Sequence, residues 1–362
     1  MPAGEGKRVA FYAPMKPPHH PVPSGDREMA RALMGMLASS GTEAMLASNL
    51  RIYDKAGDAA RQQELRNQAA AEVARLTAEL PATDLWVTYH NYYKAPDLIG
   101  PAVARARGIP YVQIESTRAK KRLTGPWAEF AKAAHDAADA AAAVFYFTEQ
   151  DRFALERDRC GAQAVAHLPP FLLLDTLPEA SLLNGPMLAA GMMRAGDKLA
   201  SYRLIAETLA HIPGDWQLEI AGDGPARTDA EVLMAPFGKR VRFLGQLSRE
   251  DLAAAYTRAS LFLWPGVNEA FGMVYLEAQA HGLPVVAQDR PGVRDVLLPG
   301  PYPAPEDGPA ALAAMAAALL ASGEQRRERG TAARAFIARS HLAPAAARCF
   351  WQTVTPVLET SR

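Results

Sequence analysis

Two glutamates eight positions apart, Glu269 and Glu277, stand in the segment LFLWPGVNEAFGMVYLEAQAHGLPVVAQDRPGVRDV, which runs from Leu261 to Val296. A short apolar strand, Leu261 to Trp264, leads into the loop PGVNE. A helix is expected from Ala270 to His281 with Phe271 and Gly272 in its first turn, and Gly282 and Pro284 close it before a buried strand. The unpaired amides and the dipole at such a helix start favour a phosphate or sugar phosphate, and Gly272 lets a ligand approach the backbone. Eight residues of helix rise about 12 Å, roughly the span from a sugar ring across a diphosphate to a ribose. Two carboxylates at that separation would grip both ends of one nucleotide sugar. The plain alternative is a helix N-terminal acid and a solvated helical glutamate, since such pairs arise often by chance.

Other chemistries are excluded by missing motifs. No GxGxxG follows a strand, and the P-loop, HExxH and GxSxG patterns are absent, which removes the simplest dehydrogenase, nucleotide-hydrolase, zincin and serine-hydrolase readings. His19 and His20 sit side by side in a proline loop, point apart and lack a carboxylate at ligand spacing, so no metal is expected. The 39 basic and 39 acidic residues cancel, which leaves no global field to hold a polyanion, and no nucleic-acid partner is expected. Cys160 and Cys349 are far apart without CxxC spacing, as suits a reducing cytosol. The longest apolar runs, Ala140 to Phe147 and Ala310 to Ala321, are shorter than the roughly 20 residues that cross a bilayer. Residues 1 to 8, MPAGEGKR, lack the apolar stretch of a signal peptide. A cytoplasmic location is the expectation.

The candidate residues must be held by a scaffold, and 362 residues are enough for two cores at roughly 150 residues per domain. A β-rich run, a Gly/Pro loop and a helix recur along the chain, which predicts an α/β fold of parallel sheets with helices on both faces. The first series comprises the strand Arg8 to Tyr12, helix Asp26 to Ser39, strands Thr42 to Ala47 and Leu85 to Tyr89, and helix Pro96 to Arg107. Strand Pro110 to Ile114, a helix near 128 to 141 and strand Val144 to Thr148 complete it. Prolines and turn formers between Leu168 and Gly185 break the pattern, as a crossing between domains would. The second series runs through strand Met187 to Gly191, helix Leu199 to His211, strands Gln217 to Ala221 and Val241 to Leu244, and helix Arg249 to Ala259. Domains are therefore placed at 1–170 and 171–343, with a helix in 344–362 returning towards the first.

The segment PGVNEAFGMVYLEAQAHGLPVVA resembles the E-x7-E signature of retaining GT-B glycosyltransferases of the GT4 family, the glycosyl transferases group 1. LEIAGDGP (Leu218 to Pro225) and VRFLG (Val241 to Gly245) extend the likeness upstream, whereas the amino half matches by architecture alone. The resemblance implies two Rossmann-like domains with a cleft between them, and transfer of a hexose-type sugar from a nucleotide-diphosphate sugar to a hydroxyl of a glycan, lipid or small molecule. It implies that Glu269 contacts donor-sugar hydroxyls, that Glu277 bonds the ribose, and that the amides of Phe271, Gly272 and Met273 hold sugar and phosphate oxygens. Departing diphosphate carries negative charge, for which the family typically supplies an arginine and a lysine rather than a metal. The loop GMMRAGDK offers Arg194 and Lys198, with Met192 after Gly191 and a shorter spacing than the family's. No cofactor is implied.

In the amino half, Ser24, Gly25 and Asp26 lie between the first strand and its helix, and Gly25 corresponds by resemblance to a glycine beside the donor phosphate. Ser24 or Asp26 would serve equally as a helix N-cap. His90, Glu115 and Ser116 end strands, at the edge where open α/β sheets bind ligands; Glu115 stands where relatives often place a histidine. Arg118, Lys120, Lys121 and Arg122, followed by Trp127, form the one basic cluster on the expected acceptor side. A solvated charge run is its default reading, and contact with an anionic acceptor or with an anionic inner-membrane face is the sharper one. Rival readings of the whole are a nonhydrolysing nucleotide-sugar epimerase and a nucleotide-sugar-binding protein without turnover.

Overall fold

The computed structural model describes residues 4–22 and 24–360. Residues 1–3 of the leading segment, and Pro23 in the loop before the first helix, lie outside the described residues. The chain divides into two compact units, one reaching to Pro169 and resuming at Ala343, the other Pro170–Leu342.

In the first unit, β1 (Arg8–Tyr12), α1 (Gly25–Ser39), β2 (Glu43–Leu46), α2 (Ala59–Glu79), β3 (Leu85–Asn91), α3 (Gly100–Arg107), β4 (Tyr111–Ser116), α4 (Ala128–Ala140), β5 (Ala143–Tyr146), α5 (Glu149–Arg157) and β6 (Ala164–His167) alternate. All strand pairs are parallel, in the order β2-β1-β3-β4-β5-β6. The strands read as apolar runs because helices cover both faces; Val9 to Tyr12 and Leu85 to Val87 are fully buried.

The second unit continues with β7 (Met187–Ala190), α6 (Asp197–His211), β8 (Leu218–Ala221), α7 (Arg227–Met234), β9 (Val241–Gly245), α8 (Arg249–Arg258), β10 (Phe262–Leu263), α9 (Met273–Ala280), β11 (Val285–Val286), α10 (Gly308–Ala321) and α11 (Gly323–Ser340). Its parallel strands follow the order β11-β10-β7-β8-β9. The last helix, α12 (Ala343–Thr360), belongs to the first unit. There Phe350 stacks on Phe145 at 5.3 Å between ring centroids, and the Trp351 indole N–H donates to Ser40 Oγ at 2.9 Å.

Each strand order reverses once, between β1 and β3 in the first sheet and between β7 and β10 in the second. Connections leave in opposite directions at such a switch point, and the crevice they open at the carboxyl ends of the strands is where α/β sheets hold ligands.

Several elements depart from the sequence expectation, which passes over α2, α5, β6, α7, α10 and α11. Helix α2 is polar on most of its surface and buries only Gln62, Leu65, Ala69 and Leu76, but Asp58 caps it by accepting from the Ala60 and Arg61 amides at 2.9 and 3.1 Å. Helix α10 is so rich in alanine that no hydrophobic period marks it. Helix α9 starts at Met273, not Ala270, because Gly272 takes φ 84° as its N-cap. Phe271 and Gly272 therefore precede the helix, and Glu277 is its fifth residue.

Candidate active site

In the second unit the β7–α6 and β10–α9 loops flank the switch point, and three links tie them together. Lys198, the second residue of α6, donates to Glu269 Oε1 as an ion pair. Asn268 Nδ2 donates to Asp197 Oδ1 at 3.0 Å, and the Val267 amide donates to Ser201 Oγ at 3.1 Å. Asn268 adopts φ 48°, a left-handed conformation that asparagine tolerates better than most residues.

Trp264, fully buried at the end of β10, organises the pair. Its indole N–H donates to Glu269 Oε1 at 2.9 Å, and the Lys198 ammonium lies 5.4 Å from its ring centroid. Tyr202 packs edge-on against it at 5.3 Å, and the Tyr275 hydroxyl donates to its carbonyl at 3.0 Å. Both donors reach the same carboxylate oxygen, so Glu269 Oε2 has no protein partner among the described residues. That oxygen can accept from a ligand hydroxyl while the carboxylate stays fixed.

Glycines bring the loops this close. A side chain at Gly191 would strike the Trp264 ring, one at Gly222 (φ 139°) would strike the Gly191 carbonyl, and one at Gly292 (φ 79°) would strike that of Ala270. Neither α6 nor α9 has a side-chain cap, so their first amides are not satisfied in that way. Arg194 is exposed on the β7–α6 loop, four residues before Lys198, and no carboxylate pairs with it among the described residues.

Glu277 accepts from the Tyr256 hydroxyl at 3.0 Å, and Tyr256 stacks on His281 at 5.3 Å. Burial first, and then the Glu277 charge, raises the Tyr256 pKa well above the ordinary value, so the phenol remains a donor.

The first unit builds its cluster at its own switch point. Ser24 is the N-cap of α1, its Oγ accepting from the Arg27 amide at 3.3 Å; Asp26 is thereby released from capping and turns to His90 at the end of β3. His90 Nδ1 lies 3.3 Å from Asp26 Oδ1 and 3.6 Å from Glu115 Oε2, ion-pair distances without hydrogen-bond alignment. Both His90 (φ 65°) and Glu115 (φ 60°) are left-handed, strain of the kind that gathers at functional sites. Burial opposes charge on His90, but Glu115, Asp26 and Asp151 outweigh it and push its pKa up to about 9. Burial raises the Glu115 and Asp151 pKa values; it works the same way on Asp26, where the close approach and charge of His90 prevail and lower the value.

Gly25 opens α1 with nothing near the position of a side chain, so packing does not demand a glycine there. Ser116 is buried and accepts from Asn91 Nδ2 at 3.1 Å, serving the scaffold. The basic cluster is solvated only in part, with Lys120 and Lys121 exposed. Arg118 is buried and paired with Asp139, and Lys120 pairs with Asp158 at 2.7 Å, while Arg122 turns towards Tyr93 and Trp127. Sequence reasoning misses Trp264, Tyr256 and Asp151. Trp264 alone carried a signal, an indole ending a strand beside the PGVNE loop.

Residues 187–322 match the family described as Glycosyl transferases group 1, so the resemblance read from the sequence holds for this segment. The chain is 28% identical over 228 residues to the alpha-D-kanosaminyltransferase of Streptomyces kanamyceticus, covering 59% of this chain and 58% of that protein. It is 34% identical over 199 residues to the phosphatidyl-myo-inositol mannosyltransferase of Mycobacterium leprae (strain TN), covering 51% and 52%. The alignments thus span little more than half the length of either relative. Among solved structures, sucrose-phosphate synthase from Thermosynechococcus elongatus aligns with a TM-score of 0.72 at 20% identity over 98% of this chain and 100% of that one. Anabaena HepE, crystallised with UDP and glucose, aligns at 0.68 and 16% identity over 96% and 99%. The fold is that of the GT-B glycosyltransferases, with parallel sheets of six and five strands.

Proposed function

We propose that this chain, whose second unit carries the group 1 glycosyl transferase match, is a retaining glycosyltransferase that moves a hexose-type sugar from a nucleotide-diphosphate sugar to an acceptor hydroxyl. The observation that carries the reading is the Lys198–Glu269 pair at the β7/β10 switch point, inside the matched segment. Glu269 Oε2 takes a donor-sugar hydroxyl, Glu277 takes the nucleotide ribose, and the first amides of α9, beginning at Met273, face phosphate or sugar oxygens. Lys198 and Arg194 stabilise the charge that grows on the diphosphate as the anomeric C–O bond breaks. The acceptor oxygen bonds to the anomeric carbon on the face from which the diphosphate leaves, and its proton passes to a departing phosphate oxygen. No protein nucleophile is needed.

The first unit is assigned the acceptor, with His90, Asp26 and Glu115 as the groups that orient its hydroxyl. HepE, crystallised with UDP and glucose on the same fold, and the kanosaminyl- and mannosyltransferase relatives support sugar transfer as the activity.

A thermal-shift panel of nucleotides and nucleotide sugars tests the donor, since a ligand at 100 times its Kd stabilises by about 2.7 kcal/mol. The donor found is then incubated with candidate acceptors, and the anomeric proton of the product is followed by NMR. Binding without any nucleotide release favours the binding-protein reading, and conversion of the nucleotide sugar without a second substrate favours the epimerase. An inverted product overturns the retaining mechanism.

A further inference from the structure

At the carboxyl edge of the first sheet the row of rings continues beyond His90. Its imidazole packs on Tyr92 at 4.8 Å between centroids, Tyr92 meets Tyr93 at 5.5 Å, and Tyr93 meets Trp127 at 5.8 Å with perpendicular planes. Each of these rings is half-buried. The Arg122 guanidinium lies 5.0 Å from the Tyr93 centroid and 5.3 Å from that of Trp127, and the Lys94 ammonium lies 5.6 and 5.5 Å from the same two. Two cations therefore share one pair of rings. Among the described residues no carboxylate pairs with either, and Arg122 Nε is buried without a hydrogen-bond partner. Like charges gathered on the same rings repel, and an anion bound at them would relieve the repulsion. Nearby Arg118 and Lys120 are already neutralised by Asp139 and Asp158, which leaves Arg122 and Lys94, with the exposed Lys121 next to Arg122 in the chain, as the positive end of the row.

We propose that this row binds the acceptor and that the acceptor is a phosphorylated sugar or polyol; the proposal rests on the glycosyltransferase reading above. Arg122 and Lys94 hold the phosphate, for which a guanidinium fork and an ammonium point charge are the usual partners. The apolar side of the polyol lies along Tyr92, Tyr93 and Trp127. Orientation follows from charge. Asp26, Glu115 and Asp151 surround the other end of the row at His90 and repel a phosphate there, so the hydroxyl end is the one that enters.

Trp127 provides the readout. The chain has five tryptophans, and Trp86, Trp216, Trp264 and Trp351 are buried, so ligand at the row changes the emission of the half-buried Trp127. The full chain is titrated with glucose 6-phosphate, inositol 1-phosphate and glycerol 3-phosphate, and in parallel with glucose, inorganic phosphate and phosphatidylglycerol vesicles. At least one phosphorylated polyol is expected to bind tenfold or more tightly than glucose and inorganic phosphate, with the signal lost in Trp127→Phe. Lys94→Gln and Arg122→Gln each weaken it by tenfold or more while leaving the thermal shift given by UDP or GDP unchanged. If Arg122→Gln fails to fold, Lys94→Gln carries the test. The proposal is overturned if none of the three binds, if glucose or inorganic phosphate matches them, if only vesicles respond, or if the variants bind normally. A UDP or GDP shift without any polyol phosphate binding defeats this inference alone, whereas absence of every nucleotide shift defeats the glycosyltransferase reading.

Discussion

The Lys198 ammonium closes on the Glu269 carboxylate at the switch point, joining the segments that follow the neighbouring strands β7 and β10, with the Trp264 indole bonded to the same carboxylate oxygen. Each of the three fixes the others. The pair is largely sheltered, with side-chain exposures of 28% and 12%, so removing one partner leaves a charge that water compensates poorly.

Lys198→Ala and Glu269→Gln should each lower turnover by about 100-fold or more, the usual effect of deleting a group that stabilises transition-state charge. Nucleoside-diphosphate release measures this, with circular dichroism confirming the fold. Near-wild-type turnover in both variants would reject the assignment.

Tyr256 aims Glu277 through a 3.0 Å bond, and ribose binding contributes equally before and during the reaction. Tyr256→Phe should raise the donor KM by roughly 3- to 10-fold, the worth of about 1 kcal/mol of hydrogen bonding, and leave kcat alone. A selective fall in kcat would place Glu277 at the reacting centre instead.

The His90 pKa of about 9 exceeds the ordinary 6.5, so the folded protein holds this proton more tightly than the unfolded chain. The resulting stability, up to about 3 kcal/mol, is complete below about pH 6.5 and is lost as pH rises through about 9. Glu115 and Asp151, also raised, lose stability in the same direction as pH rises, whereas the lowered Asp26 contributes above its ordinary value and loses that contribution in acid. Urea denaturation between pH 6 and 9.5 should show wild-type stability falling and His90→Asn, which tolerates the left-handed backbone, changing much less. Parallel curves would contradict the geometry of the cluster.

Gly222 allows β8 to turn away beneath the Gly191 carbonyl. Gly222→Ala should cost about 2 kcal/mol or more, through strain at φ 139° and through collision with that carbonyl. Differential scanning calorimetry should show a Tm several degrees lower; an unchanged Tm would mean that the loop moves freely.

Much of this architecture was legible in the residues, since strands covered on both faces leave continuous apolar runs such as LWVTY, and glycines and prolines mark where they stop. Glu269, Glu277 and Lys198 stand out in the sequence because they lie close to such boundaries. The meeting of His90 with Asp26 could not, because it depends on β3 lying beside β1, an order that local pattern does not encode. Arg118 read as a surface charge because residue type carries no record of Asp139, its partner from α4. AFG is compatible with a helix by residue type, and only the positive φ of Gly272 moves the start of α9 to Met273.

The last helix has a consequence for biosynthesis. Phe350 and Trp351 reach the first unit only after the whole of Pro170–Leu342 has been made. At roughly 5–20 residues per second, a ribosome needs on the order of 10–30 s to cover that interval. During it Phe145 and Ser40 wait without their aromatic partners, so the amino-terminal unit can complete its packing only once the segment Pro170–Leu342 has been synthesised.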